Sequence, residues 1–287
     1  MIAHVAESGE DRGRVVLHVG TGSPHVIAVE AALRVARAFG SEIESLFVED
    51  EQLFDCAAYA FAREVPLSGI QTRPLSRDDL MRNLHFAAQG ARRRIQELAR
   101  KADVPLRCTV VRDEPTRALT IACAERGPWN VVALAEPFNV GNGPSFRKLL
   151  NEVVGTTGFV IVGPKAQRVT GPIVIALEDT DHLPDMLRAA EKLAALDQAS
   201  IVLLLVAPNQ DELERIDAET RLVVEAHPNV RIQWAALSHG ASAMIAEMLR
   251  RVHGGTIICR FGGLVVSDDE DLRPLATALE CPLLLVR

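Results

Sequence analysis

Short apolar runs alternate with helix-spaced stretches along most of the chain. The segment from Val15 to Val48 contains an apolar run, a Gly-rich turn, a stretch with apolar residues at helical spacing, and a second apolar run. This order is typical of a strand, a crossover helix and a parallel strand. The same order returns from Ile173 to Val206, and adding 158 to a residue number aligns the two segments. One unit used twice predicts two similar domains in one chain.

The rest of the pattern extends each unit into a domain. Alternating apolar runs and helix-spaced stretches continue in both halves, and the purely apolar run Val131–Ala135 predicts a central strand. We predict an α/β fold of two tandem doubly wound domains, each with a mostly parallel sheet flanked by helices, Rossmann-like in its topology. The first domain is assigned to residues 1–165 and the second, shorter one to residues 170–287, with a polar linker between them.

The first domain carries an inserted region at about residues 51–103, for which two helices are predicted. Apolar residues at helical spacing predict a helix over Glu51–Arg63, and Ser76 with Asp79 resembles a capping box at the start of the next helix. Four arginines lie away from the apolar stripe of that second helix. They are interpreted as a solvated face, with a docking surface for an acidic partner as the alternative; they are Arg82, Arg92, Arg93 and Arg94.

Composition excludes several classes of protein. The net charge of −7 argues against a nucleic-acid binder, whose affinity depends on neutralising phosphates. The apolar runs are far shorter than the roughly 18 residues that a membrane span needs, and the Met1–Arg14 leader lacks the apolar core of a secretory signal. We therefore expect no membrane segment and a cytoplasmic location. The five cysteines contain no C-x-x-C pair and are expected to be reduced thiols, mostly buried.

At the level of sequence motifs, the chain resembles a tandem universal stress protein. The helix sequence Ala31–Ala36 with Glu49 after the second strand, the third-strand element Val111–Leu119, and the closing Cys281–Val286 strand match that family's pattern. The resemblance covers nearly all of both halves except the inserted region. It implies a five-stranded sheet in each domain, pairing of the two domains through their last strands within one chain, and a role in stress response.

The resemblance also identifies where a nucleotide would bind. Family members that bind ATP carry an Asp at the end of strand one, and Gly20 and Glu178 stand at that position here. They also carry a G-x2-G-x9-G-[S/T] loop after strand four, whose N–H groups and hydroxyl hold ribose and phosphates. Its last two positions correspond to Ser145-Phe146 in the first half and Asp269-Glu270 in the second. The first two glycines have no clean counterpart in either half.

The two candidate sites are expected to differ in chemistry. In the second half, Asp269 and Glu270 would repel a triphosphate, so we interpret Glu178, Asp269 and Glu270 as a degenerate site. In the first half, the loop with Gly141, Gly143 and Ser145 leads into a helix that carries Arg147 and Lys148. An anion at that helix N-terminus and a plain loop with Ser145 as N-cap are both compatible with this sequence.

A dinucleotide is a further alternative, because Gly20-Thr21-Gly22 follows a strand, precedes a helix, and is followed by Glu49 and Asp50 at the end of the next strand. His25 stands where the third glycine of that fingerprint belongs, which argues against it. A turn that requires a positive φ explains the glycines equally well.

The sequence therefore predicts a universal stress protein-like regulatory or binding module. We expect it to be non-catalytic, because no catalytic or metal-binding group of residues is recognisable in the sequence. The alternatives are an adenine-nucleotide binder, with ATP or AMP as ligand, and a dinucleotide-dependent activity at Gly20–Gly22. No cofactor is expected otherwise, and a homodimer and a protein partner stay open. The candidate ligand-binding residues are Gly20, Thr21, Val48, Gly141, Gly143 and Ser145.

Overall fold

The structure is a computed structural model that describes residues 13–21, 24–65, 72–125, 129–135, 146–236, 242–267 and 272–287. The strands are β1 (Arg14–Val19), β2 (Glu42–Asp50), β3 (Arg63–Glu64), β4 (Arg73–Pro74), β5 (Leu106–Asp113), β6 (Asn130–Ala135), β7 (Thr156–Val162), β8 (Ile173–Leu177), β9 (Ile201–Ala207), β10 (Val230–Ala236), β11 (Thr256–Arg260) and β12 (Leu283–Val286). The helices are α1 (Val26–Phe39), α2 (Glu51–Ala57), α3 (Arg77–Ala102), α4 (Pro115–Ala124), α5 (Phe146–Glu152), α6 (Leu183–Ala195), α7 (Gln210–Val224), α8 (Ser242–Arg251) and α9 (Arg273–Ala278).

Ten of these strands form one sheet in the order β10-β9-β8-β11-β12-β7-β6-β1-β2-β5. Neighbouring strands run parallel within β1–β7 and within β8–β12, whereas β12 and β7 pair antiparallel. The first half (β1–β7) and the second half (β8–β12) therefore each contribute a five-stranded parallel unit with the same strand order. The α/β, doubly wound fold class predicted from the sequence is confirmed.

Helices cover both faces of the sheet, and each face has its own hydrophobic cluster. One cluster packs α1, α3, α6 and α7 against the sheet, and the other packs α4, α5, α8 and α9 against the opposite face. The central strands β8 and β9 are buried along their whole length, as expected for parallel strands with both faces covered. Burial on both faces explains why these strands read as continuous apolar runs in the sequence.

Helix α1 and helix α6 meet over the junction between the halves. The Arg34 guanidinium forms an ion pair with Asp197, and the Lys192 ammonium lies 4.9 Å from the centroid of the Phe39 ring. These two contacts occupy equivalent places, because Arg34 and Phe39 align with Lys192 and Asp197 at the 158-residue offset. The two halves are thus related by an approximate two-fold axis at the β7–β12 junction.

The inserted region differs from the sequence prediction at its first helix. That helix ends at Ala57 instead of continuing to Arg63, and the short antiparallel pair β3–β4 follows it. Tyr59 and Phe61 lie beyond the helix end, stack on each other at 5.3 Å and are 58% and 80% exposed. The prediction was wrong here because apolar spacing alone carries no information about whether a surface is available to bury that stripe. Helix α3 begins as predicted, with the Ser76 side chain accepting from the Asp79 N–H.

No helix within the described residues is long and apolar enough to span a bilayer. The five cysteines have free thiols; Cys123, Cys259 and Cys281 are buried, whereas Cys56 is exposed and Cys108 lies between these extremes.

Candidate functional site

In each half the strand order reverses direction at one point, and doubly wound sheets form a crevice at the carboxyl ends of the strands there. In the first half this point lies between β1 and β6, and in the second half it lies between β8 and β11. Open α/β sheets commonly bind ligands at such a point because the loops on its two sides diverge to opposite faces. The candidate residues Gly20 and Glu178 directly follow β1 and β8, which are the strands at these two points.

In the first half, the structure brings three of the candidates together. Val19 pairs with Phe47 in the parallel β1–β2 register, so Gly20 and Val48 follow side by side at the ends of these strands. Val48 is 2% exposed, whereas Gly20 and Thr21 are exposed to solvent. The other three first-half candidates, Gly141, Gly143 and Ser145, lie outside the described residues.

The described part of the chain does not crowd Gly20 at the end of β1. Among the described atoms, only Cε1 of His18 lies within 4 Å of an added Cβ, at 3.9 Å. Gly20 is also absent from the described residues with positive φ, so the expectation of a left-handed turn at this glycine is wrong. Gly22, the other glycine of the predicted turn, lies outside the described residues.

The acidic residues that a dinucleotide would need are engaged elsewhere. The Glu49 carboxylate is 2.8 Å from the Arg112 guanidinium, and the Asp50 side chain accepts from the Gln52 N–H at the start of α2. The Arg112 guanidinium also lies 4.1 Å from the centroid of the Phe54 ring, which holds it over α2. Both carboxylates therefore contribute to the packing of the inserted region against the end of β2.

In the second half, the same position holds Glu178, whose carboxylate enters the loop after β11. Its two oxygens accept from the backbone N–H groups of Leu264 and Val265, at 2.5 and 2.7 Å. Gly263 lies directly against this carboxylate, and any Cβ there would clash with it. The side chain thus occupies two backbone donors of the loop in which the family's pattern places nucleotide contacts.

A second layer of charged residues surrounds Glu178. The Asp179 carboxylate lies 2.8 Å from the Arg260 guanidinium at the end of β11, and its other oxygen lies 2.9 Å from Nδ1 of His182. Next to it, the Thr180 hydroxyl donates to Glu219 of α7 at 2.6 Å. The polar groups at this strand end are therefore paired with one another. The remaining second-half candidates, Asp269 and Glu270, lie outside the described residues.

The two neighbouring carboxyl groups have opposite pKa shifts. Burial raises the pKa of Glu178, and the two backbone N–H groups only partly offset that effect. Burial acts on Asp179 in the same direction, but the hydrogen bonds from His182 outweigh it and lower the pKa of Asp179. Desolvation thus dominates at the residue that points into the loop, whereas hydrogen bonding dominates at the residue that faces solvent.

Sequence reasoning missed the acceptor role of Glu178 and the Asp179–Arg260 ion pair. Both contacts join residues more than 80 positions apart, which no local pattern reveals. The one available signal was an acidic residue at a strand end combined with two glycines, Gly262 and Gly263, after the strand beside it. Among the described residues, no group of three or more His, Cys, Asp and Glu side chains is arranged to hold a metal ion.

Solved structures share this architecture along almost the whole chain. A universal stress protein from Archaeoglobus fulgidus superposes with a TM-score of 0.62 at 12% identity, covering 96% of both chains. The chain has the universal stress protein fold. A putative universal stress protein from Pseudomonas aeruginosa gives a TM-score of 0.53 at 13% identity, covering 96% of this chain and 94% of that one. The resemblance read from the sequence motifs is thus confirmed as a likeness of fold.

The same fold occurs in a different setting. The cytoplasmic domain of a prokaryotic cation chloride cotransporter matches with a TM-score of 0.55 at 14% identity, covering 96% of this chain and 95% of that domain. No protein-family model matches the sequence, and no curated protein matches it. At such identities the universal stress protein fold is established, and function has to be argued from the residues themselves.

Proposed function

We propose that this chain is a non-catalytic, universal stress protein-like binding module with a regulatory role in stress response. Its second-half nucleotide site is closed, and the first-half crevice at Gly20, Thr21 and Val48 is the place for any small ligand. Because the fold is compatible with several activities, the residues at the strand ends decide the function.

The observation that carries the proposal is the position of the Glu178 carboxylate. It accepts from two backbone N–H groups of the loop after β11, so these donors are satisfied without a ligand. A phosphate brought to the same donors would approach a carboxylate, and like charges at a few ångströms repel by about 1 kcal/mol or more. The first half has Gly20 where the second half has Glu178, and this difference is the simplest explanation for the loss of the nucleotide site in the second half.

The solved structures that share the fold are compatible with a role as a binding module. One of them is the cytoplasmic domain of a cotransporter, so the same architecture serves there as one part of a larger protein. A module that acts through its surface needs the scaffold but not the phosphate loop, which agrees with a buried core retained in both halves.

An adenine-nucleotide binder is the second candidate, and the open crevice at Gly20 favours it. Within the described part of the chain, His18 is the one side chain that approaches an added Cβ at Gly20, and the neighbouring Val48 offers a buried apolar wall. ATP or AMP would then bind in the first half only. A dinucleotide-dependent activity has less support, because Glu49 and Asp50 are already engaged.

A thermal-shift screen with ATP, ADP, AMP and NAD separates these functions. We expect none of the four to raise the melting temperature at micromolar concentration. A shift with ATP or AMP replaces the proposal with the second candidate, and a shift with NAD alone replaces it with the dinucleotide activity.

The variant Gly20→Glu assigns any shift to a site, because it copies the residue that closes the second half. A nucleotide bound in the first-half crevice should be lost in this variant. The matched control is Gly90→Glu, which adds the same side chain at an exposed position of α3 where a Cβ meets nothing within 4 Å. A nucleotide shift that survives Gly20→Glu would place the ligand elsewhere.

A further inference from the structure

A cleft of about 910 Å³ lies at the opposite edge of the second half, at the amino ends of β9 and β10. It is bounded by the end of α6 on one side and by the turn from α7 to β10 on the other. Its size is within the range of small-molecule sites. None of the candidate residues at the carboxyl strand ends lines it, so this cleft is separate from the nucleotide crevice of the fold.

Gln198, which lines this cleft, has a backbone conformation that is unfavourable for its residue type. Its φ is 55°, whereas the aligned position in the first half is Gly40, with a φ of 61°. The two turns are otherwise alike, since Ser41 and Ala199 donate equivalent backbone hydrogen bonds of 2.8 and 3.0 Å to the preceding helix. A side chain is unfavourable in this left-handed region, and such strain occurs preferentially at functional sites.

Charges of both signs line the cleft. The Glu191 carboxylate of α6 lies 2.6 Å from Nδ1 of His227, which belongs to the turn after α7. Arg231, at the start of β10, is exposed and has no carboxylate partner among the described residues. The side-chain amides of Gln198 and Asn229 also line the cleft and add neutral donors and acceptors.

This arrangement selects among ligand classes. Glu191 would repel a polyphosphate, and no Phe, Tyr or Trp from the described part of the chain lines the cleft to stack on a base. Arginine binds carboxylates in a bidentate geometry, and a carboxylate side chain binds ammonium groups. Three small residues, Ala194, Ala195 and Ala226, also line the cleft.

We propose that this cleft is a binding site for a small zwitterion, a free amino acid, with its carboxylate on Arg231 and its ammonium group on Glu191. The ligand's ammonium group takes the place of His227 on Glu191, and the Gln198 amide contacts the ligand between its charged ends. The inference does not depend on the ligand of the first-half crevice.

Isothermal titration of the full chain at pH 7 with each of the twenty amino acids, up to 10 mM, tests the proposal. We expect at least one of them to bind, and Arg231→Gln and Glu191→Gln each to weaken that binding tenfold or more. The matched control is Arg107→Gln, since Arg107 holds the equivalent second position of β5 in the first half and is also exposed. This variant should bind as the wild type does.

Gln198→Gly separates a binding role from a structural one. It relieves the backbone strain, so the protein should become more stable, and it removes the amide, so amino-acid binding should weaken at least threefold. A purely structural residue would not give these opposite changes. Absence of binding by all twenty amino acids overturns the proposal, as does binding that Arg231→Gln and Arg107→Gln affect equally.

Discussion

The two halves of the sheet place their polar residues at different depths. The first half buries an ion pair between Arg14 and Glu44, with the Thr109 hydroxyl donating to Glu44 at 2.7 Å, and it carries His18 in the same strand as Arg14. Arg14 and Glu44 are 1% and 2% exposed. The aligned positions in the second half are apolar: Pro172, Ala176 and Val202.

At the strand ends the distribution is reversed. The first half has Gly20 and Thr21 there, whereas the second half has Glu178 and Asp179 with their partners. One scaffold therefore accommodates charge either inside the sheet or at its rim. The comparison shows that the packing of apolar residues defines this fold, and that each polar group depends on the partners near it.

The largest expected effect comes from breaking the buried ion pair. Glu44→Ala leaves the Arg14 charge buried without its carboxylate, and we expect it to lower the free energy of unfolding by about 3–5 kcal/mol. The double variant Arg14→Met with Glu44→Val copies the apolar character of the second half and should lose much less. Denaturant unfolding of the three proteins measures the difference, and a loss below 1 kcal/mol for Glu44→Ala would contradict this account.

The next effect is the pH dependence that His18 contributes in the first half. Burial lowers the pKa of His18 from 6.5 to about 4, so the folded state disfavours its charged form. Its contribution to stability is present above the unfolded-state pKa and is lost as the pH falls from 6.5 to 4, by up to about 3 kcal/mol.

The variant His18→Ala, which copies Ala176 of the second half, should lack this part of the acid destabilisation. Unfolding measured at pH 7, 5.5 and 4 tests the expectation. His85→Ala, which changes an exposed histidine of α3, serves as the control and should follow the wild-type profile. Identical pH profiles for His18→Ala and the wild type would show that His18 titrates normally.

The smallest effect concerns the two equivalent helix ends. Gly40→Ala places a side chain in the left-handed region and should destabilise the protein by about 1 kcal/mol, whereas Gln198→Gly should stabilise it by a similar amount. Melting temperatures of the two variants should shift in opposite directions. Shifts of the same sign would mean that the two turns are not equivalent, despite their similar φ values.

Much of the fold was predictable from sequence because it depends on local periodicity. Helix α1 coincides with the stretch of helix-spaced apolar residues in the first unit, since Gly40 ends the helix and its apolar residues are buried. The ion pair of Arg14 with Glu44 and the contacts of Glu178 were not predictable, because each joins segments that only the folded sheet brings together. At the candidate site, the pattern of strands placed Gly20 and Val48 at strand ends. The hydrogen bonds of Glu178 could be seen only in the folded structure.

The junction of α1 and α6 has a consequence for how such a protein diverges. In a symmetric dimer of identical chains, a two-fold axis repeats every interface contact, so one substitution changes both copies. Here the two copies are encoded separately, and one has become an ion pair between Arg34 and Asp197 while the other has become a cation–π contact between Lys192 and Phe39. Covalent fusion thereby frees each side of the interface to evolve alone, and it keeps the halves together at any dilution.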